Sequence, residues 1–185
     1  MASDLIEEIS KNLIINIIRK FNLVESEIKY IISCYIDSKE VEFLENVLLN
    51  NMIINFSTKK KLLTYIIRDK NILSDSRVKK LNQSLNVMMN KRNLMVHSDT
   101  VFGMNTVFDF DSIDDDKYDK NADEFIKYLV SRTSFNRPSA STINDGKIEV
   151  YNVNEIHNHF IKHFKIADEI LTEISIAIGE LKTNS

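Results

Sequence analysis

Glycine and proline are nearly missing. Three glycines and one proline in 185 residues make about 2% of the chain, against roughly 12% in average proteins. That shortage disfavours a turn-dense β architecture and favours helices. Neither G-x-G-x-x-G nor G-x-x-x-x-G-K-[ST] can be assembled from Gly103, Gly146 and Gly179, so Rossmann and Walker-type phosphate cradles are excluded. A single cysteine, Cys34, rules out an intrachain disulfide. No long hydrophobic run is present either: Leu13-Ile14-Ile15 stops at Asn16, far short of the roughly 18 residues of a membrane span. The start, Ser3-Asp4 with Glu7-Glu8, is unlike a secretory signal. An intracellular, cytoplasmic protein is expected. The net charge of -3 argues against non-specific coating of nucleic acid but leaves room for a local basic site.

What is there reads as one helical domain over residues 1–185, large enough to bury a substantial core. Ser3 is a suitable N-cap for a helix to about Lys20 that carries Leu5, Ile9, Leu13 and Ile17, with Ile14 and Ile18 widening the apolar face. A second helix spans about 25–36, and a third, capped by Ser38, carries Val41, Leu44, Val47 and Leu48. A fourth opens at Ser57, and a fifth runs from Ser74 or Ser76 to about His97. Helical period disappears over 98–120, read as a loop or insertion. Within it Thr106–Phe110 alternates like a strand that pairs with Lys147–Tyr151 as a small hairpin. Between them a helix is expected at about 122–132. The last helix, capped by Asn154, places Ile156, Phe160, Phe164, Ala167, Leu171, Ile174 and Ile178 on one seam. The expectation is an all-α bundle of six to seven helices with a minor hairpin.

The fifth helix holds the residues that carry chemistry. At about 100° per residue, Val78, Leu81, Leu85, Met88, Met89 and Val96 form its core face, and Arg92 falls within that stripe. A guanidinium among aliphatic side chains loses several kcal/mol of hydration unless an anion or many acceptors meet it. One solution is an acid from a neighbouring helix, such as Glu7, Glu8 or Glu40. Another is a phosphate, which suits a planar fork of five donors that keeps its charge. Beside Arg92 runs a strip without acids: Asn82, Asn86, Asn90, Asn93 and His97, with Lys79 among them.

The phrase Lys91-Arg92-Asn93-Leu94-Met95-Val96-His97 resembles the signature of the HEPN family (higher eukaryotes and prokaryotes nucleotide-binding domains). That signature is an Arg, a polar residue directly after it, and a His closing the stretch after four to six residues, near the end of a helix. The resemblance implies a metal-independent endoribonuclease. RNA cut by its own 2′-hydroxyl needs a base, an acid and positive charge on the phosphorane-like transition state. His97 would transfer protons, an imidazole ordinarily titrating near 6.5. Arg92 would hold the phosphate and Asn93 would orient histidine or phosphate. Two imidazoles require two copies of the chain, so a homodimer with a composite site is expected. The family further implies a toxin or antiviral defence effector, held in check by a partner such as a small nucleotidyltransferase-type antitoxin. A HEPN-like module that binds nucleotides or a protein without cutting is the alternative, and a plain helical interaction module a third. No cofactor is required.

Other signals are weaker. Lys59, Lys60, Lys61, Arg77, Lys79, Lys80 and Lys91 could track an RNA backbone, yet such lysines are usually solvated helix faces. His157, His159 and His163 read as exposed residues on the polar side of the last helix rather than metal ligands. Asp109, Asp111, Asp114, Asp115 and Asp116 fail the EF-hand pattern, with Ile at 113 and no Gly. Cys34 reads as a small core residue, and Tyr30, Tyr35, Tyr65 and Tyr128 as core or interface aromatics.

Overall fold

The computed structural model describes residues 2–36, 40–97, 99–101, 139–144 and 147–183. The chain is all-α, with five α-helices among the described residues rather than six to seven, and one small sheet. The expected strand at 106–110, the acidic stretch and the helix at 122–132 lie outside the described residues.

Helix α1 runs unbroken over Ala2–Ile36, about 50 Å at 1.5 Å per residue. Two helices with a link near Phe21–Val24 were expected. No glycine or proline interrupts the stretch, and Phe21, Val24, Ile28, Ile31 and Ile32 extend the buried face that begins at Ile17. The apolar stripe therefore passes straight through the supposed link. Helix α2 (Val41–Phe43) leads directly into a π-helical turn, Leu44–Leu48. There Leu49 N–H bonds back to the Leu44 carbonyl at 2.8 Å, and the widened turn buries both leucines. Glu40 precedes α2 without a side-chain cap, and Ser38 lies outside the described residues.

Helix α3 (Phe56–Asp69) is capped by Asn55, whose side chain accepts from Thr58 N–H at 3.0 Å; Ser57 was the expected cap. It closes with Asn71 in the left-handed region at φ 50. Ile72 N–H bonds to the Ile67 carbonyl at 3.0 Å and Asn71 N–H to that of Arg68 at 3.2 Å, the Schellman arrangement. In a chain short of glycine, asparagine fills the position. Helix α4 (Asp75–His97) follows at once and ends on His97, as the sequence suggests.

The sheet is β1 (Asp99–Val101), β2 (Ser139–Asn144) and β3 (Lys147–Asn152), antiparallel in that order. Residues 147–151 do form a strand, and among the described residues it pairs with 139–144; the expected pairing with 106–110 lies outside them. A two-residue connection keeps this local hairpin cheap in loop entropy. Helix α5 (Val153–Thr183) starts two residues earlier than expected, with Asn152 Oδ1 accepting from Asn154 N–H at 2.9 Å. All seven expected seam residues of α5 are buried. That seam packs along α1 and α4, and α3 closes against α1. No described helix is long and apolar enough to cross a membrane.

A candidate anion pocket with one sealed and one open cation

Arg92 lies near the middle of the buried face of α4, flanked by Leu85, Met88 and Met95, all buried. Its side chain is nevertheless only half-buried. The guanidinium sits over the Phe21 ring of α1, 5.8 Å from its centroid. Its Nη1 donates to Asn93 Oδ1 at 3.0 Å, while Nε is buried with no partner. Among the described residues no carboxylate pairs with Arg92. An ion pair with Glu8 or Glu40, one of the two ways of satisfying Arg92, is therefore not formed, and the Glu7 side chain lies outside the described ones.

Arg92 and Asn93 open onto a hollow of about 360 Å³ between α1, α4 and the start of α3. Asn22 and Glu25 of α1, with Asn51 and Asn55 ahead of α3, contribute polar wall. Volume and lining suit a ligand the size of one nucleotide.

Beneath it lies a second cation that the sequence reading placed on a solvated face. Lys59 is 0% exposed. Its Nζ donates to Glu25 Oε1 at 2.5 Å and to Asn51 Oδ1 at 2.8 Å, and Asn51 Nδ2 donates to Glu25 Oε2 at 3.0 Å. The three side chains close a ring in which the amide meets the carboxylate with its donor and the ammonium with its acceptor. Burial lowers the Lys59 pKa, and Glu25 acts in the opposite direction. A signal existed: Phe56, Lys59, Leu63 and Ile66 are spaced as one buried face, and Glu25 falls among Phe21, Val24 and Ile28. The rule that singled out Arg92 applies equally to these two.

His97 is exposed at the end of α4, about 140° round the helix from Arg92, and does not line the pocket. Lys79 and Lys80 are exposed and Lys91 half-buried. Helix geometry sets Lys80 and Lys91 on one side and Lys79 about 100° away, so the three do not surround Arg92. Val96, expected in the core, is 40% exposed, and Met95 takes its place. Arg77 is tied to α5, bonding Glu173 and, at 3.4 Å, Glu169.

Of the three histidines of α5, His159 is exposed as expected, while His157 and His163 are not. His163 Nδ1 and the buried Ser84 hydroxyl of α4 lie 3.2 Å apart, and His157 Nε2 lies 3.1 Å from Asn16 Oδ1 of α1. Both imidazoles are half-buried. Burial, then the neighbouring His159 and Lys162, hold the His163 pKa below its ordinary value. Burial likewise lowers that of His157, with Lys20 adding to it and Asn158 opposing. Among the described residues no three His, Cys, Asp or Glu side chains converge as a metal site. Cys34 is half-buried against the core, whereas Tyr30 and Tyr65 are exposed rather than in the core.

Compared with known proteins, the chain matches no family model, no curated protein and no solved structure.

Proposed function

We propose that the chain is a metal-independent endoribonuclease of HEPN type that works as a homodimer. The observation that carries the reading is Arg92: a guanidinium with a buried, unpartnered Nε, beside Asn93, facing a hollow of mixed polar and apolar lining whose one carboxylate, Glu25, is engaged by Lys59. A phosphodiester oxygen is the partner its fork fits best. In the reaction the 2′-oxygen–phosphorus bond forms and the 5′-oxygen–phosphorus bond breaks. One His97 takes the 2′-hydroxyl proton, the partner's His97 gives a proton to the leaving 5′-oxygen, and Arg92 holds the charge that gathers on the phosphoryl oxygens. Exposure of His97 at a helix end suits a residue that must face a second copy. Lys79, Lys80 and Lys91 add electrostatic attraction for the RNA. The biological role that goes with this activity is that of a toxin or defence effector restrained by an inhibitory partner.

A second reading rests on one observation, that His97 does not line the hollow Arg92 faces. On that reading the chain holds a nucleotide in each protomer without cutting. Mixed RNA incubated with the purified chain in EDTA separates the two. Arg92→Ala and His97→Ala are each expected to lower cleavage about 10²- to 10⁴-fold, with His97→Ala retaining its melting temperature. Wild-type inertness toward RNA, together with a melting temperature that a nucleotide raises only when Arg92 is present, selects the second reading.

A further inference from the structure

On the outer side of α3 a larger hollow, about 510 Å³, follows the seam with α4. Its α3 wall carries Lys60, Lys61, Tyr65 and Arg68, and Asn82 stands on the α4 side. The seam itself holds no acid: Asn82 and Thr64 bond each other at 3.2 Å, and Lys60 Nζ donates to the Asn86 side-chain Oδ1. The one acid on this wall, Asp69, is already engaged, accepting from the Tyr35 hydroxyl at 3.0 Å and lying 3.7 Å from Lys70. Lys60, Lys61, Arg68 and Lys70 therefore surround a single committed carboxylate, in a chain whose net charge is -3. Positive charge has been gathered here rather than spread.

Tyr65 sits in the middle of it and is 61% exposed. Lys61 and Arg68 stand four residues before and three after it, so all three share one helix face, with the cations two turns, about 10 Å, apart. A flat ring between two phosphate-binding side chains is how proteins hold unpaired nucleotides, since every base offers a π-face and every linkage a charge. A duplex hides the base faces that the ring needs.

We propose that this α3–α4 groove binds single-stranded RNA, with Tyr65 stacked on a base and Lys61 and Arg68 on the flanking phosphates. The proposal extends the endoribonuclease reading by locating where the strand is held, and it rests on that reading for the choice of RNA.

The test is fluorescence anisotropy with a labelled oligouridylate of about 12 nucleotides, in EDTA, using full-length His97→Ala chain so that the probe stays intact. Tyr65→Ala is expected to weaken binding about 10-fold and Tyr65→Phe to leave it near the parent. The Lys61→Ala/Arg68→Ala pair is expected to weaken binding and to flatten its salt dependence by about 0.7 per lost contact. All three side chains are exposed, so each variant is expected to melt as the parent does. Failure of the oligouridylate to bind, equal binding of Tyr65→Ala, or equal competition by a duplex or a polyglutamate peptide overturns the proposal. Groove binding in a protein that cuts no RNA removes the nuclease reading and leaves the groove. Cleavage that is indifferent to Tyr65→Ala in both KM and binding removes the groove and leaves the nuclease.

Discussion

Lys59 and Arg92 are cations at one pocket, and the protein treats them in opposite ways. Lys59 is sealed from water and held by a carboxylate and an amide. Arg92 is half-open, touches Phe21 and Asn93, and has a buried nitrogen with nothing to bond. A buried charge left without partners is expensive, so a fold that solves the problem for one cation could solve it for the other. That it does so only for Lys59 marks Lys59 as structure and leaves Arg92 available to something outside the chain.

The largest expected effect comes from breaking the sealed side. Glu25→Ala strands the Lys59 ammonium and should destabilise the fold by about 3–5 kcal/mol. In a chain of this size that corresponds to a fall in melting temperature of roughly 6–20 °C. The double substitution Lys59→Met/Glu25→Leu replaces the pair by apolar groups and should recover most of the loss, because a well-packed hydrophobic pair is often as stable as a buried ion pair. If Glu25→Ala melts no lower than Arg92→Ala, the two cations are alike and the distinction fails.

Arg92→Leu is the next smaller effect, and its sign is the informative part. Because no described carboxylate depends on Arg92, the leucine orphans nothing charged, and stability should hold or rise by up to about 1 kcal/mol. Inorganic phosphate should raise the wild-type melting temperature, as any ligand of the folded state does, and should leave that of Arg92→Leu unmoved. A loss of several kcal/mol on Arg92→Leu would mean that the guanidinium is a structural element after all.

The same contrast explains what could be read in the amino-acid sequence. Helical period assigns faces, so the α5 seam from Ile156 to Ile178 and the span of α4 to His97 were visible, and Arg92 stood out as a charge on an apolar stripe. Period does not say which stripe meets which. Glu25 and Lys59 lie 34 residues apart, and only packing α1 against α3 reveals that two misplaced charges cancel. Judging the Lys59-Lys60-Lys61 run by composition hid that its first member points inward, its second is half-buried against α4 and only its third is exposed. The break expected in α1 overlooked the continuing Ile17, Phe21, Val24 and Ile28 face. The strand Ser139–Asn144 went unread for a related reason: it is mostly small and polar, so its signal lay in proximity to the clearly alternating 147–151 rather than in pattern.

The smallest effect concerns a third kind of buried base, one able to surrender its charge. Burial lowers the Lys59 pKa and the Glu25 carboxylate against the ammonium opposes it. The half-buried imidazoles of His163 and His157 have no such carboxylate partner among the described residues. Burial holds both below the ordinary imidazole value, so in the unfolded chain each takes up a proton near pH 6.5 while the folded chain still resists. The unfolded state then binds more protons, and stability rises with pH across that window. Acidification from pH 7 through 6.5 and downward should therefore destabilise the fold, progressively until the folded imidazoles also protonate. The groups facing His163 are Ser84 of α4 with His159 and Lys162 of its own helix, none of them an anion that would reverse the sign. His163→Asn keeps a polar partner for Ser84 without the titration, and urea midpoints of that variant between pH 7 and 5.5 should fall less than those of the wild type. Equal slopes for the two proteins would place the acid sensitivity elsewhere in the fold and remove His163 as its source.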